Sequence, residues 1–122
     1  MLPVDSHAHL YDAMYAGQTE NVISSALGRV GFIICPSEDR KTSEQSSGES
    51  RIFTAVGIHP LHTEHVSGED WKQILSLAHH SPKVVALGET GLDFFSKNCD
   101  RELQKYWFSR HIQAAGELHL PL

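Results

Sequence analysis

Two histidines, His7 and His9, stand one residue apart just behind an aspartate, Asp5, in a chain of 122 residues that holds nine histidines in all. Side chains alternate along an extended strand, so Asp5, His7 and His9 are expected to share one face. Two imidazoles at that spacing can offer nitrogens to a single metal ion, and a carboxylate beside them can act as a supporting partner. Taken alone, the pattern fits two unrelated surface histidines equally well. A further chemistry-bearing group, Glu89, lies between Gly88 and Gly91, directly after the apolar run Val84-Val85-Ala86-Leu87. Glycines free the backbone to turn, and α/β proteins place ligands just outside the carboxyl ends of such strands. His59 and His62 follow another apolar run, Ile52-Phe53-Thr54-Ala55-Val56. They are candidates for contacting a substrate or a phosphate, although loop architecture fixed by Pro60 explains His59 about as well. Asp5 and Asp93 are the candidate supporting carboxylates. His65, His79, His80 and His119 belong to no motif.

Elements must carry these groups. The stretch 2–9 reads as a short strand running into the two histidines, followed by a loop over 11–18. Thr19 is placed to cap a helix over 20–27, whose apolar positions 22, 23, 26, 27 and 30 keep the helical period, and Gly28 or Gly31 ends it. A second strand over 32–35 stops at Pro36, with Cys35 as a core thiol. Residues 37–50 contain no apolar side chain, so they lack the stripe that docks a helix on a sheet and read as a polar loop or a poorly held helix. A third strand spans 52–56. Ser67 and Asp70 form a capping box for a helix that buries Trp71, Ile74, Leu75 and Ala78. The run 84–87 is a strand apolar on both faces. Asp100 then caps a long helix to Leu118, with Leu103, Trp107, Phe108, Ile112, Ala115 and Leu118 along its inner face. Cys99, just before that helix, pairs with no base and is given no role. Residues 120–122 begin another apolar, extended segment.

Alternation of strands with helices implies a parallel sheet covered by helices. The polar groups of interest follow the first, third and fourth strands at their carboxyl ends, the address of active sites in a (β/α)8 barrel. A complete barrel takes about 250 residues. The expectation is therefore an α/β fold of the TIM type, a single partial barrel domain of which 1–122 supplies the N-terminal half.

Composition narrows the function classes. Apolar residues make up 40% and charged residues 20%, as in an ordinary soluble domain. A net charge of −5 argues against gripping nucleic acid through a broad basic face. It leaves room for a nuclease whose bound metals supply the positive charge. Two widely separated cysteines suit free thiols in a reducing compartment. No secretory pattern and no membrane-spanning apolar run is seen, so the expected setting is cytosol or nucleus, with mitochondria also compatible.

The motifs Asp5-Ser6-His7-Ala8-His9-Leu10, Gly57-Ile58-His59-Pro60 and Gly88-Glu89-Thr90-Gly91-Leu92-Asp93 resemble, in order and spacing, the three N-terminal signatures of the TatD family of metal-dependent deoxyribonucleases. The last helix resembles the same family through Gln104, Phe108, Ala115, Glu117, Leu118, Leu120 and Pro121. The resemblance implies hydrolysis of DNA phosphodiesters by a metal-activated water. It implies that His7 and His9 bind one divalent ion and that Glu89 bridges two, which makes Glu89 the candidate catalytic residue. Zinc, manganese or magnesium suits such ligands. The family's remaining ligands would fall beyond Leu122, and the apolar helix expected over 37–50 is missing. Two other readings keep the scaffold: a hydrolase of another ester or amide, such as a D-aminoacyl-tRNA deacylase, and a catalytically incomplete half barrel. The latter would act only by pairing with a copy of itself or with a complementary chain.

Overall fold

The computed structural model describes residues 1–37, 40, 50–96 and 99–122. Most of the polar segment expected over 37–50 lies outside the described residues. The elements are a helix α1 (Thr19–Leu27), a strand β1 (Ile33–Pro36), a strand β2 (Ile52–Val56), a helix α2 (Gly68–His80), a strand β3 (Val84–Leu87) and a helix α3 (Arg101–Leu118). Short 3-10 turns at Ala13–Tyr15 and Pro60–His65 fill two of the connections. The three strands form one parallel sheet in the order β1-β2-β3. Strand neighbours in sequence are thus neighbours in space, each reached by a crossover, as a barrel requires.

Helices α1 and α2 bury the side that their apolar spacing marks out, and α3 does so in part. Leu27 of α1 closes a cluster with Leu10, Ile33, Cys35 and Ile52. Further along the same face of the sheet, Trp71, Ile74 and Ala78 of α2 and Trp107, Ala114 and Ala115 of α3 pack over Val56, Val84 and Leu87. The rings of Trp71 and Trp107 lie 5.7 Å apart. Truncating a fully buried side chain such as Ile74 would cost about 2–5 kcal/mol. Ser67 and Asp70 form the expected reciprocal capping box, and Asp100 caps α3 by accepting from the N–H groups of Glu102 and Leu103.

Four details differ from the sequence reading. The stretch 2–9 is no regular strand. Only Asp5 bridges to Ile33: the Asp5 carboxylate takes the N–H of His7, and Ala8 N–H, one residue late, reaches the Ile34 carbonyl in its place. Gln18, not Thr19, occupies the cap position of α1, and the Thr19 hydroxyl donates back to the carbonyl of Tyr15. Pro36 belongs to β1, paired with Ala55; its lack of an N–H removes no bond to β2, because Ile33 and Ser37 donate across while Ile34, in phase with Pro36, donates to Asp5 on the opposite side. On α3, Ile112 is exposed, and the buried face holds two polar residues, Gln104 and His111.

Candidate metal centre

The site sits where the main chain leaves the carboxyl ends of the strands. Gly88 N–H donates to the carbonyl of Val56, which continues the β2–β3 ladder one step past β3. Glu89 N–H then donates to the carbonyl of Ser37 at 2.8 Å. Ser37 is buried, and its hydroxyl donates to Ala55 while accepting from Gly57 N–H. One serine beyond β1 therefore ties down the start of both loops that bear site residues. Its polarity in a polar run concealed it, since a serine that opens such a run gives no sign of being buried.

These ties bring the Glu89 carboxylate against three imidazoles. His7 Nε2 and His9 Nε2 lie 3.1 Å apart. They stand 3.8 and 3.6 Å from Glu89 Oε2. The other carboxylate oxygen, Oε1, lies 3.8 Å from His59 Nε2. His7, His9 and Glu89 each offer one ligand atom, all within 4.8 Å of one another. Glu89 Oε2 is buried with no hydrogen-bond partner among the described residues. A buried carboxylate oxygen left without a donor is costly, so such a group calls for a cation.

The donor set fits a divalent metal. Two nitrogens bound to one tetrahedral ion at the usual zinc–nitrogen length lie about 3.3 Å apart, close to the 3.1 Å between His7 and His9. Their approach does not depend on a shared strand face. Asp5 secures it differently from the expectation, by holding the main chain of His7 rather than its ring.

His59 plays another part. Its Nδ1 accepts the N–H of Leu61, so in the neutral ring the proton sits on Nε2 and faces Glu89 Oε1. That leaves His59 as a donor, not a metal ligand through Nε2. The His62 ring lies 5.6 Å from it, centre to centre, and lines a cavity of about 330 Å³ with Ile58, His65, Ile74 and the Arg40–Asp70 ion pair. Asp93 is drawn into its own turn: its carboxylate accepts from Phe95 N–H. Cys35 is buried, and burial pushes its thiol pKa up, as expected of a core thiol.

Comparison with known proteins bears on this arrangement. The model of the family described as TatD related DNase matches residues 4–122. The protein named as the uncharacterized metal-dependent hydrolase YabD of Bacillus subtilis is 35% identical over 123 residues, covering 97% of this chain and 48% of its own length. The 3′-5′ ssDNA/RNA exonuclease TatD of Erwinia tasmaniensis is 41% identical over 125 residues, again covering 97% of this chain and 48% of its own length. Among solved structures, that of the TatD homologue YjjV from Escherichia coli superposes with a TM-score of 0.86 at 26% identity, over 98% of this chain and 48% of that one. The chain thus spans about half the length of the relatives it matches.

Proposed function

The chain belongs to the TatD-related DNase family, and from that premise we propose that it carries the N-terminal half of a metal-dependent hydrolase site that cleaves phosphodiester bonds in DNA. The observation that carries this reading is Glu89 Oε2, buried and without a hydrogen-bond partner among the described residues, facing the Nε2 atoms of His7 and His9. In it, His7, His9 and Glu89 would hold the metal, and a complete site would take two ions. A bound divalent ion supplies polarisation of the phosphoryl group and a water acidic enough to attack at neutral pH. Zinc, manganese and magnesium all accept this ligand chemistry.

The chain's own groups supply the rest. Asp5 fixes the main chain at His7, and Ser37 fixes it at Glu89, so the ligands are oriented before anything binds. His59, with its proton on Nε2, is placed to donate to a phosphate oxygen beside Glu89. His62, against the His59 ring and the neighbouring cavity, is the candidate for contacting the adjoining part of the substrate. Asp93 supports the site through its loop rather than through its carboxylate.

The relatives contain as much chain again as this one matches. We propose that the corresponding half is supplied in the working protein by further chain, by a second copy or by a complementary polypeptide, set against the edge where Val4 is exposed. No helix among the described residues is long and apolar enough to cross a membrane. The two free cysteines suit a reducing compartment, cytosol or nucleus.

The test is hydrolysis of a labelled single-stranded oligodeoxynucleotide after reloading with zinc, manganese or magnesium. Cleavage abolished by a chelator and by Glu89→Ala supports the reading. Chelator-sensitive loss of the ester in D-aminoacyl-tRNA, with DNA untouched, would move the substrate to a deacylase. A stable self-associated species with no turnover would favour a half barrel that needs a partner.

A further inference from the structure

Gln104 and His111 are the two fully buried polar side chains on α3. They stand seven residues apart, two turns of helix, so they share a face about 10.5 Å along the axis from one another. A core position at either site would pack at least as well with an apolar residue. What they do instead is specific.

His111 Nδ1 donates to the carbonyl of Trp107 at 2.7 Å, which leaves Nε2 as an acceptor, and Nε2 accepts the N–H of Ile58 at 3.1 Å. Ile58 directly precedes His59 in the chain. The Gln104 carboxamide makes a two-way pair with one residue: Oε1 accepts Asp93 N–H at 2.9 Å, and Nε2 donates to the Asp93 carbonyl at 3.1 Å. Asp93 closes the turn that Glu89 opens. A single rigid helix therefore grips the His59 loop with one side chain and the Glu89 loop with the other. His59 Nε2 and Glu89 Oε1 meet at 3.8 Å between those two grips.

We propose that α3 sets the spacing and orientation of His59 and Glu89, with His111 and Gln104 as positioning residues for the site. The proposal rests on reading His59 and Glu89 as site residues. Neither positioning residue belongs to the His7, His9 and Glu89 cluster. Each acts through a main-chain group that would otherwise be buried without a partner.

The discriminating pair is His111→Asn against His111→Gln in the 122-residue chain. An asparagine at position 111 keeps an amide where Nδ1 stood and can still reach the Trp107 carbonyl, but it is too short for Ile58 N–H. A glutamine extends to that N–H. The readouts are amide hydrogen exchange at Ile58, the imidazole nitrogen NMR signature of the His59 tautomer, and affinity for cobalt(II), used as the metal probe. We expect His111→Asn to lose Ile58 protection, to blur the Nε2–H signature of His59 and to weaken cobalt(II) binding about tenfold, the lower end of what supporting-residue changes cost a metal site. His111→Gln should restore all three. Gln104→Leu should lose Asp93 protection and weaken cobalt(II) to a similar degree.

If His111→Asn and His111→Gln give the same His59 signature and the same affinity, the residue is merely structural and the proposal fails. If the unaltered chain binds no cobalt(II), and His7→Ala changes nothing, the metal reading fails. The positioning role then stands or falls on the His59 signature and the Ile58 exchange alone. Should His111→Asn not fold while His111→Gln folds with an altered His59 signature, the proposal is likewise overturned.

Discussion

Gly57 faces Gly88 so closely that a methyl group on Gly57 would lie 2.7 Å from the Gly88 carbonyl carbon and 2.9 Å from its Cα and its oxygen. The neighbour is main chain, which cannot swing aside as a side chain would. The contact joins the loop that leads to His59 to the residue that precedes Glu89. Gly57→Ala should push the Gly88–Glu89 peptide away, cost about 1–3 kcal/mol as an overpacked site and lower cobalt(II) affinity at least tenfold. Urea unfolding together with a cobalt(II) titration checks this. A variant that loses stability yet binds metal as before would show that Glu89 does not depend on this contact.

Removing the ligands themselves should separate binding from folding. Glu89 Oε2 has no donor to lose among the described residues, and His7 is half exposed. Glu89→Gln and His7→Ala should each weaken metal binding by more than about a hundredfold, beyond the loss typical of supporting residues. Their far-ultraviolet circular dichroism should match that of the unaltered chain. Without metal, Glu89→Gln should melt no lower than the parent, because it removes a carboxylate held in a poorly solvated place. Loss of fold in both variants would place these residues in the core rather than at an open site.

Much of this was legible in the sequence because the relevant signals are local. The apolar runs of β2 and β3 begin and end where hydrophobicity begins and ends. The Ser67–Asp70 box and the Asp100 cap follow from residue type and spacing alone. The meeting of His7, His9 and Glu89 was readable for a different reason: each follows an apolar run, and parallel strands deliver their carboxyl ends to one side. What escaped was the role of residues that satisfy main chain far away in sequence, including Gln104, which entered the sequence reading only as part of a family pattern. Ser37, Gln104 and His111 are buried polar groups that bond to Glu89, Gly57, Asp93 and Ile58. Periodicity ranks such residues as solvent-facing, and it put Ile112 inside where the structure leaves it exposed. The strand over 2–9 failed similarly, since alternation cannot foresee an aspartate that captures the N–H two residues on.

The N-terminus of α2 forms one wall of the cavity beside His62, and its capping box holds that wall. Ser67 Oγ accepts from Asp70 N–H, and Asp70 Oδ2 accepts from Ser67 N–H at 2.9 Å. The Ser67 hydroxyl and N–H, with Arg40 adding a lesser share, keep the Asp70 carboxyl below its ordinary pKa. Ser67→Ala should cost about 1 kcal/mol in urea unfolding at neutral pH. Because Asp70 is held low, its contribution is complete above the ordinary carboxylate range and is lost as the pH falls from there through the lower folded value. The gap between parent and variant should therefore narrow in acid. A gap that stays constant to low pH would mean that the hydroxyl acts without the carboxylate.

His111 gives stability a dependence on pH of opposite origin. Burial lowers its pKa from the ordinary 6.5, while the Trp107 carbonyl opposes that shift. Its contacts are the Ile58 N–H, the Trp107 carbonyl and the Trp71 ring, 4.7 Å away, all of them uncharged. Protonation at Nε2 would turn the acceptor of the Ile58 bond into a second donor. The unfolded chain takes up this proton more readily than the folded one, so the contribution is complete above pH 6.5. It is lost as the pH drops from there towards the lower folded value. Across that window His111 should add up to about 1.4 kcal/mol of lost stability per pH unit. His111→Gln carries no such proton, so the difference between the two proteins should shrink between pH 7.5 and 5.5 while the other histidines contribute equally to both. Parallel stability curves over that range would mean that His111 titrates in the fold as it does in water, and that the hold on Ile58 is not broken by acid.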